Sequence, residues 1–198
     1  MNYDKFPETK IKGYDQEAFD DLSSMRQELL KKIHDVNCFV VDCYPGVDDE
    51  VLDFMQDVYE PEIVIRSEDI FYDKDKLYEM MKPHLTEDRV RGVMFYGVLE
   101  DFVNQKKLKE MKKVLHEQKR ILIYGVGGGL ISQGDLNIYC DLARWEIQCR
   151  YRQGMPNFKA DNDDEDSLKK IKRGFFIEWR VADKHKMKMF EKVDYFID

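Results

Sequence analysis

Three consecutive glycines, Gly127, Gly128 and Gly129, follow directly after an apolar run at residues 121–126. Glycine can adopt positive φ and lets a backbone approach a ligand closely. A GxGxxG dinucleotide pattern would need a glycine at Leu130, and no amphipathic helix clearly starts there. The glycines therefore predict either a tight strand-to-loop turn or a backbone contact to a ligand, with Gly127 and Gly128 as the candidate contacts.

A second stretch, residues 42–50, follows the first predicted strand, where a phosphate-binding loop would carry several glycines, a lysine and a Ser/Thr hydroxyl. This stretch has one glycine and neither lysine, serine nor threonine. Pro45 removes a backbone donor, and the acidic residues 48–50 would repel a triphosphate. The start of the next helix still offers N–H groups to an anion. The candidate ligand contacts in the loop are Asp42, Tyr44 and Gly46.

The segment 141–152 is predicted to form a helix, and it carries three arginines. Arg144 and Arg152 share a face with Gln148, and Arg150 adds a further cation. Planar guanidinium groups suit phosphate recognition. The alternative is that these cations pair with Asp141, Glu146 and the acidic loop at residues 157–166.

Aromatic residues alternate with charges at residues 172–186. We expect Phe175, Phe176 and Trp179 to belong to the core. The charged residues of this stretch predict either a buried ionic cluster or a sugar-phosphate contact, and the sequence does not decide between the two. These residues are Glu178, Arg180 and Asp183.

Apolar periodicity predicts alternating strands and helices along the chain. The predicted strands are residues 38–43, 62–65, 92–97, 120–125, 137–139 and 194–197. Predicted helices cover residues 15–34, 74–82, 104–118 and 141–152, and another starts at 48–50. This alternation indicates βαβ units, so we expect a three-layer α/β fold with a mostly parallel sheet. We expect residues 1–14 to form an N-terminal arm and residues 15–198 a single domain.

Composition limits the class of protein and its partners. The chain has 198 residues, 43% of them hydrophobic, and neither an apolar run of bilayer length nor an apolar N-terminal signal, so we expect a cytoplasmic location without a membrane partner. The net charge of −8 disfavours binding to nucleic acid. Since the four histidines lack metal-ligand spacing, we expect no metal site. The four cysteines are expected to be free thiols.

The order of these segments resembles the uridine kinase and phosphoribulokinase group. The resemblance is carried by Asp69-Ile70-Phe71-Tyr72, by the strand followed by glycines, and by the helix ending Arg150-Tyr151-Arg152-Gln153-Gly154. In that group the Asp-x-Phe-Tyr stretch helps to hold and deprotonate the acceptor, which makes Asp69 and Tyr72 candidate catalytic residues. The arginine-rich helix closes over nucleotide phosphates, a role that Arg144, Arg150 and Arg152 approximately match. The implied fold is P-loop nucleoside-kinase-like.

A closer resemblance is to the kinase-like N-terminal domain of some bacterial class I mannose-6-phosphate isomerases. The stretches that carry it are residues 41–46, 69–72, 96–102, 141–146 and 172–180. It implies a role beside sugar-phosphate interconversion, with a cupin isomerase domain or subunit as the partner. Isomerase chemistry in that family belongs to a cupin with a His/Glu zinc site, and this chain has no matching cluster.

These observations leave three hypotheses. The first is a degenerate, non-catalytic kinase-like domain that needs no cofactor and binds a sugar phosphate or nucleotide, or regulates an isomerase. The second is an active sugar or nucleoside kinase that uses Mg-ATP, with Asp69 as the base and Asp42 as a metal ligand. The third is a fragment or subunit of a mannose-6-phosphate isomerase. The missing lysine and hydroxyl favour the first, because phosphoryl transfer depends on positioning and charge.

Overall fold

The computed structural model describes Gly13 and residues 18–115 and 120–198, so all but Gly13 of the expected N-terminal arm lies outside the described residues. The described chain forms an all-parallel sheet of order β2-β3-β1-β4-β5, which confirms the predicted α/β class. The strands are β1 (Cys38–Cys43), β2 (Ile63–Arg66), β3 (Ile121–Gly125), β4 (Leu136–Cys140) and β5 (Tyr195–Ile197). The α-helices are α1 (Leu22–Lys32), α2 (Asp49–Tyr59), α3 (Lys74–Met81), α4 (Gln105–Leu115), α5 (Gly128–Ile131), α6 (Arg144–Arg152), α7 (Ser167–Arg173) and α8 (Trp179–Met189). Short 3₁₀ segments cover Ile33–Asp35, Ser67–Ile70, Lys82–His84 and Leu99–Phe102.

Strand β1 lies at the centre of the sheet, between β3 and β4. In the parallel register its Val41 is opposite Tyr124 of β3 and Ile138 of β4. Phe39 and Val41 pack on the face covered by α1 and α2, whereas Val40 packs on the face covered by α3 and α8. A strand buried on both faces needs a mostly apolar run, and residues 38–43 form one that only Asp42 interrupts, which is why β1 could be predicted to the residue.

Helix α1 shows how the outer layer is attached to the sheet. Asp21 caps the helix by accepting the N–H groups of Ser23 and Ser24 at 2.7 and 2.8 Å. Leu29 then packs into the same core cluster as Met55 of α2. None of the described helices has the length and apolar character that would let it cross a membrane.

The prediction of a strand at residues 92–97 is wrong. Val93 N–H donates to His84 O and Phe95 N–H to Phe176 O, both at 2.9 Å, so the segment bonds to a 3₁₀ segment and a helical turn rather than to the sheet. A Cβ at Gly92 would meet the Phe176 ring at 2.8 Å, which explains why this close approach uses glycine. The described sheet therefore has five strands, and the apolar pattern at 92–97 reflects packing against the helical layer.

Helices α7 and α8 are joined by a π-helical turn, Gly174–Glu178. At Gly174 a Cβ would lie 2.6 Å from the indole ring of Trp179, so only glycine fits against this ring. The turn leaves Trp179 buried, as expected, but Phe175 is more than one third exposed. Phe175 is therefore not a core residue.

The attachment of α1 can be tested with two adjacent leucines. Leu29 is 1% exposed and Leu30 is 49% exposed. We expect Leu29→Ala to lower the free energy of unfolding by about 2–5 kcal/mol, because it leaves a cavity under the helix, and Leu30→Ala to change it by less than about 1 kcal/mol. Urea unfolding followed by circular dichroism measures both values. Equal losses would contradict the described packing of α1.

Candidate functional site

The carboxyl end of β1 is where this topology favours ligand binding. Helix α2, which follows β1, packs on one face of the sheet, whereas α5, which follows the neighbouring β3, packs on the other. A crevice opens in parallel sheets where adjacent strands continue to opposite faces. The candidate residues Asp42, Tyr44, Gly46, Gly127 and Gly128 all lie at this end of the sheet.

The carboxylate of Asp42 occupies the glycine loop. Asp42 is fully buried, and its Oδ1 accepts the N–H of Gly127 at 3.0 Å while its Oδ2 accepts the N–H of Gly129 at 2.8 Å. Gly127 has a φ of +77°, which fits glycine, and a Cβ at Gly129 would approach Met189 to 2.6 Å. The two amides that could bind an anionic ligand are thus already bound by the chain's own carboxylate.

His185 of α8 completes this arrangement. Its Nε2 lies 2.6 Å from Asp42 Oδ2, and both side chains are buried. Since a carboxylate only accepts, Nε2 carries the proton. The other ring nitrogen, Nδ1, is buried without a partner among the described residues. The sequence reasoning missed this residue, although His185 stands four residues from both Val181 and Met189 on the buried face of α8, a spacing that could have indicated it.

The loop between β1 and α2 has the reverse polarity of a phosphate-binding loop. Arg150 of α6 donates to the carbonyl of Gly46 at 2.8 Å and pairs with Asp48 at 2.6 Å and with Glu146 at 2.8 Å. The loop therefore presents acceptors to a cation of the chain. A Cβ at Gly46 would meet Met155 at 3.1 Å, so side chains cover the loop from above.

The first turn of α2 is neutralised in the same way. Asp49 makes a two-pronged pair with Arg66 of β2, at 2.6 and 2.9 Å. The hydrogen bonds from Arg66 lower the pKa of the Asp49 carboxyl, so it stays ionised. A carboxylate in the first helical turn satisfies the helix dipole that would otherwise favour a bound anion.

Tyr44 and Arg144 belong to an ionic cluster beside this loop. The phenol of Tyr44 donates to Asp183 Oδ1 at 2.9 Å, and Arg144 pairs with Asp183 Oδ2. Burial, and then the charge of Asp183, raise the pKa of Tyr44, so the phenol stays a donor. Glu178 pairs instead with Arg173, at 2.7 Å and buried. Glu178, Arg180 and Asp183 therefore do not form one buried cluster: Glu178 and Asp183 pair with different arginines, and only the Arg173–Glu178 pair is buried.

Two further predicted phosphate ligands lie on the outside. The guanidinium of Arg152 stacks 5.7 Å from the ring centre of Trp145, which is 70% exposed. Arg180 stacks 4.9 Å from the ring centre of Phe175. Neither arginine makes a hydrogen bond or ion pair with the β1–α2 loop, whereas Arg150 bonds to this loop directly and Arg144 shares Asp183 with Tyr44 of the loop.

The two candidate catalytic residues lie just after β2, in and beyond the 3₁₀ segment Ser67–Ile70. Asp69 is exposed and makes no hydrogen bond with the described residues, while Tyr72 is half-buried, with its N–H bound to Phe102 O at 3.1 Å. The neighbouring Glu68 faces the glycine loop instead, and its Oε1 accepts Val126 N–H at 3.2 Å. Burial raises the pKa of Glu68.

Apolar side chains fill the crevice above these residues. Phe158, from the acidic loop, packs edge-on against Phe71 with ring centres 5.1 Å apart. The void that remains has a volume of about 10 Å³, close to that of a single water molecule. Its lining is formed by Pro45, Leu77, Met81, Leu99, Phe102, Val126, Phe158, Glu178 and Val181.

The described residues contain no group of three or more His, Cys, Asp or Glu arranged to hold a metal ion.

Removing the central carboxylate tests this description. We expect Asp42→Ala to lower the free energy of unfolding by about 3–5 kcal/mol, because two amides and His185 lose their partner, and the exposed Asp69→Ala to cost less than about 0.5 kcal/mol. Chemical denaturation measures both, and sodium formate should partly restore Asp42→Ala by supplying a carboxylate. Similar small losses in both variants would contradict the role of Asp42.

The raised pKa of Glu68 predicts that the free energy of unfolding depends on pH. Its pKa is higher in the folded than in the unfolded chain, so its contribution to stability is present at low pH and is lost as the pH rises through the folded pKa. Glu68→Gln keeps the acceptor for Val126 without a charge. We therefore expect the stability of Glu68→Gln relative to the parent chain to rise between about pH 4 and pH 7. Urea unfolding at several pH values measures this difference, and a constant difference would contradict the shift.

One family model matches most of the chain. The family model described as Domain of unknown function (DUF8485) matches residues 22–198, from the start of α1 through β5. No curated protein matches the chain. The chain therefore belongs to the family named Domain of unknown function (DUF8485).

Proposed function

We propose that this protein is a kinase-like α/β domain that does not transfer phosphoryl groups and acts through binding or regulation. The observation that carries this proposal is the occupation of the glycine-loop amides by Asp42. In a working phosphoryl-transfer site such amides and nearby cations are left for the substrate. Here the amides of Gly127 and Gly129 are already bound by Asp42, within the chain.

The fit to Mg-ATP is poor on three counts. The β1–α2 loop supplies neither the lysine nor the hydroxyl that would hold a phosphate and a metal. Arg150 is bound by the loop's own acceptors, and Arg144 by Asp183. The crevice is filled by Phe158 and its apolar neighbours. We therefore assign no reaction step to a nucleotide.

The kinase resemblance rests on short motifs and on the order of the strands and helices along the chain. The all-parallel sheet of order β2-β3-β1-β4-β5 supports it only at the level of the α/β class. A shared class carries no activity. The link to a mannose-6-phosphate isomerase comes from the resemblance alone and stays a prediction. Sedimentation of the chain mixed with a purified class I isomerase tests whether the two proteins form a complex.

The proposal predicts no response to nucleotide. Mg-ATP at one hundred times its Kd would add about 2.7 kcal/mol of stability, so binding would be visible in a thermal-shift titration. We expect no shift with Mg-ATP, and no ADP formation with mannose, glucose or uridine as acceptor. A shift that Arg144→Ala abolishes, or ADP formation that Asp69→Asn abolishes, would contradict the proposal and favour an active kinase.

The same proposal predicts that Arg150 is a structural cation. Its side chain is 23% exposed and bonds three acceptors, whereas Arg152 contacts only the exposed Trp145 among the described residues. We expect Arg150→Ala to lower the free energy of unfolding by about 1–2 kcal/mol and Arg152→Ala to leave it within about 0.5 kcal/mol. Differential scanning calorimetry compares the two. A fully stable Arg150→Ala would indicate that this arginine is available to a ligand.

A further inference from the structure

A large cleft lies to one side of the filled crevice. It has a volume of about 730 Å³, within the range of small-molecule sites. Its walls are α3, residues 85–88, residues 159–165 of the acidic loop, and α7. None of these walls includes the glycine loop or Asp42, so the cleft is a separate site and does not depend on the function proposed above.

The wall formed by the acidic loop is held rigidly from below. Lys170 is completely buried, and its ammonium donates to the carbonyls of Gly154 at 3.3 Å, Met155 at 3.2 Å and Asp163. Asn157, also buried, accepts a hydrogen bond from Asn162 at 2.9 Å. A surface loop anchored by buried polar groups is a preformed wall, which reduces the conformational entropy that the protein loses when a ligand binds.

Four of the five cations of the cleft are already paired within the chain. Lys159 donates to Glu68 O at 2.9 Å, and Lys172 donates to the carbonyls of Thr86, at 2.9 Å, and Asp88. Two more cations are held by carboxylates, in the pairs Arg173–Glu178 and Lys74–Asp161. The fifth cation, Lys169, is exposed and makes no hydrogen bond or ion pair with the described residues. The lining nevertheless carries seven carboxylates against five cations, so a phosphate group would meet net repulsion.

The lining is better suited to hydroxyl groups. Asp75 and Glu87 are exposed and make no hydrogen bond or ion pair with the described residues, so each offers two acceptor oxygens. Tyr78 is 49% exposed and contributes an aromatic ring to the same cleft. Adjacent hydroxyls on one edge and an apolar C–H face are the features of a sugar ring that complement carboxylates and an aromatic ring.

We propose that this cleft binds a neutral, hydroxyl-rich small molecule of monosaccharide size and discriminates against its phosphorylated form. The hydroxyls donate to Asp75 and Glu87, and the C–H face of the ring packs on Tyr78. A ligand of this size with no ionic contact binds with a Kd of the order of millimolar.

The test is a titration of the ¹⁵N-labelled full chain followed by NMR. D-mannose and D-glucose are the neutral probes, mannose 6-phosphate is the phosphorylated probe, and spermidine is a cationic probe. We expect the neutral sugars to shift the amide signals of residues 85–88 and 159–165, and mannose 6-phosphate to bind at least about tenfold more weakly. Tyr78→Ala should weaken the binding of D-mannose about tenfold.

The matched control is Trp145→Ala, which removes another exposed aromatic ring outside the cleft and should leave sugar binding unchanged. Both rings are on the surface, so both variants are expected to fold. Equal or tighter binding of mannose 6-phosphate, binding of spermidine alone, or no shift with either neutral sugar at millimolar concentrations would overturn the proposal. Equal losses in Tyr78→Ala and Trp145→Ala would also overturn it.

Discussion

A buried carboxylate with three donors organises the centre of this protein. An unpaired charge inside a protein is so costly that Asp42 can be buried only with hydrogen bonds to Gly127, Gly129 and His185. The three donors lie in three separate parts of the fold outside β1, namely the loop after β3, the start of α5, and α8. Satisfying this one side chain therefore fixes the glycine loop against the sheet and sets the depth at which α8 packs.

The same principle of internal pairing extends along the whole carboxyl edge of the sheet. Arg66 is bound to Asp49, Arg150 to Asp48 and Glu146, and Lys186 to Asp141 at 2.8 Å. In a ligand-binding edge some of these charges would be left for a substrate to complete. Because the chain completes them itself, these charges already have partners at this edge, and two exposed carboxylates without a partner among the described residues, Asp75 and Glu87, lie in the cleft beside α3.

The sequence was sufficient for the central strands because their burial on both faces demands runs that are apolar almost throughout, as in β1, where Asp42 is the one charged residue. It failed at residues 92–97 because an extended apolar segment packed on helices has the same composition as a strand. For the site, Arg150–Glu146 was among the predicted alternatives, since four residues on a helix bring two side chains together. The Asp42–His185 pair, separated by 143 residues, depends on how α8 crosses the sheet, which no local pattern encodes.

The π-helical turn between α7 and α8 has a consequence for the phase of the two helices. A π turn contains one residue more than an α turn needs, and each residue of an α-helix advances the side-chain direction by about 100°. The extra residue lets Lys170 and Arg173 point to the acidic loop while His185, further along the same continuous helix, points to Asp42. Shortening Gly174–Glu178 by one residue would restore a regular helix and rotate one of these two sets away from its partner. The alignment of the cleft wall with the buried carboxylate thus depends on the length of a single turn.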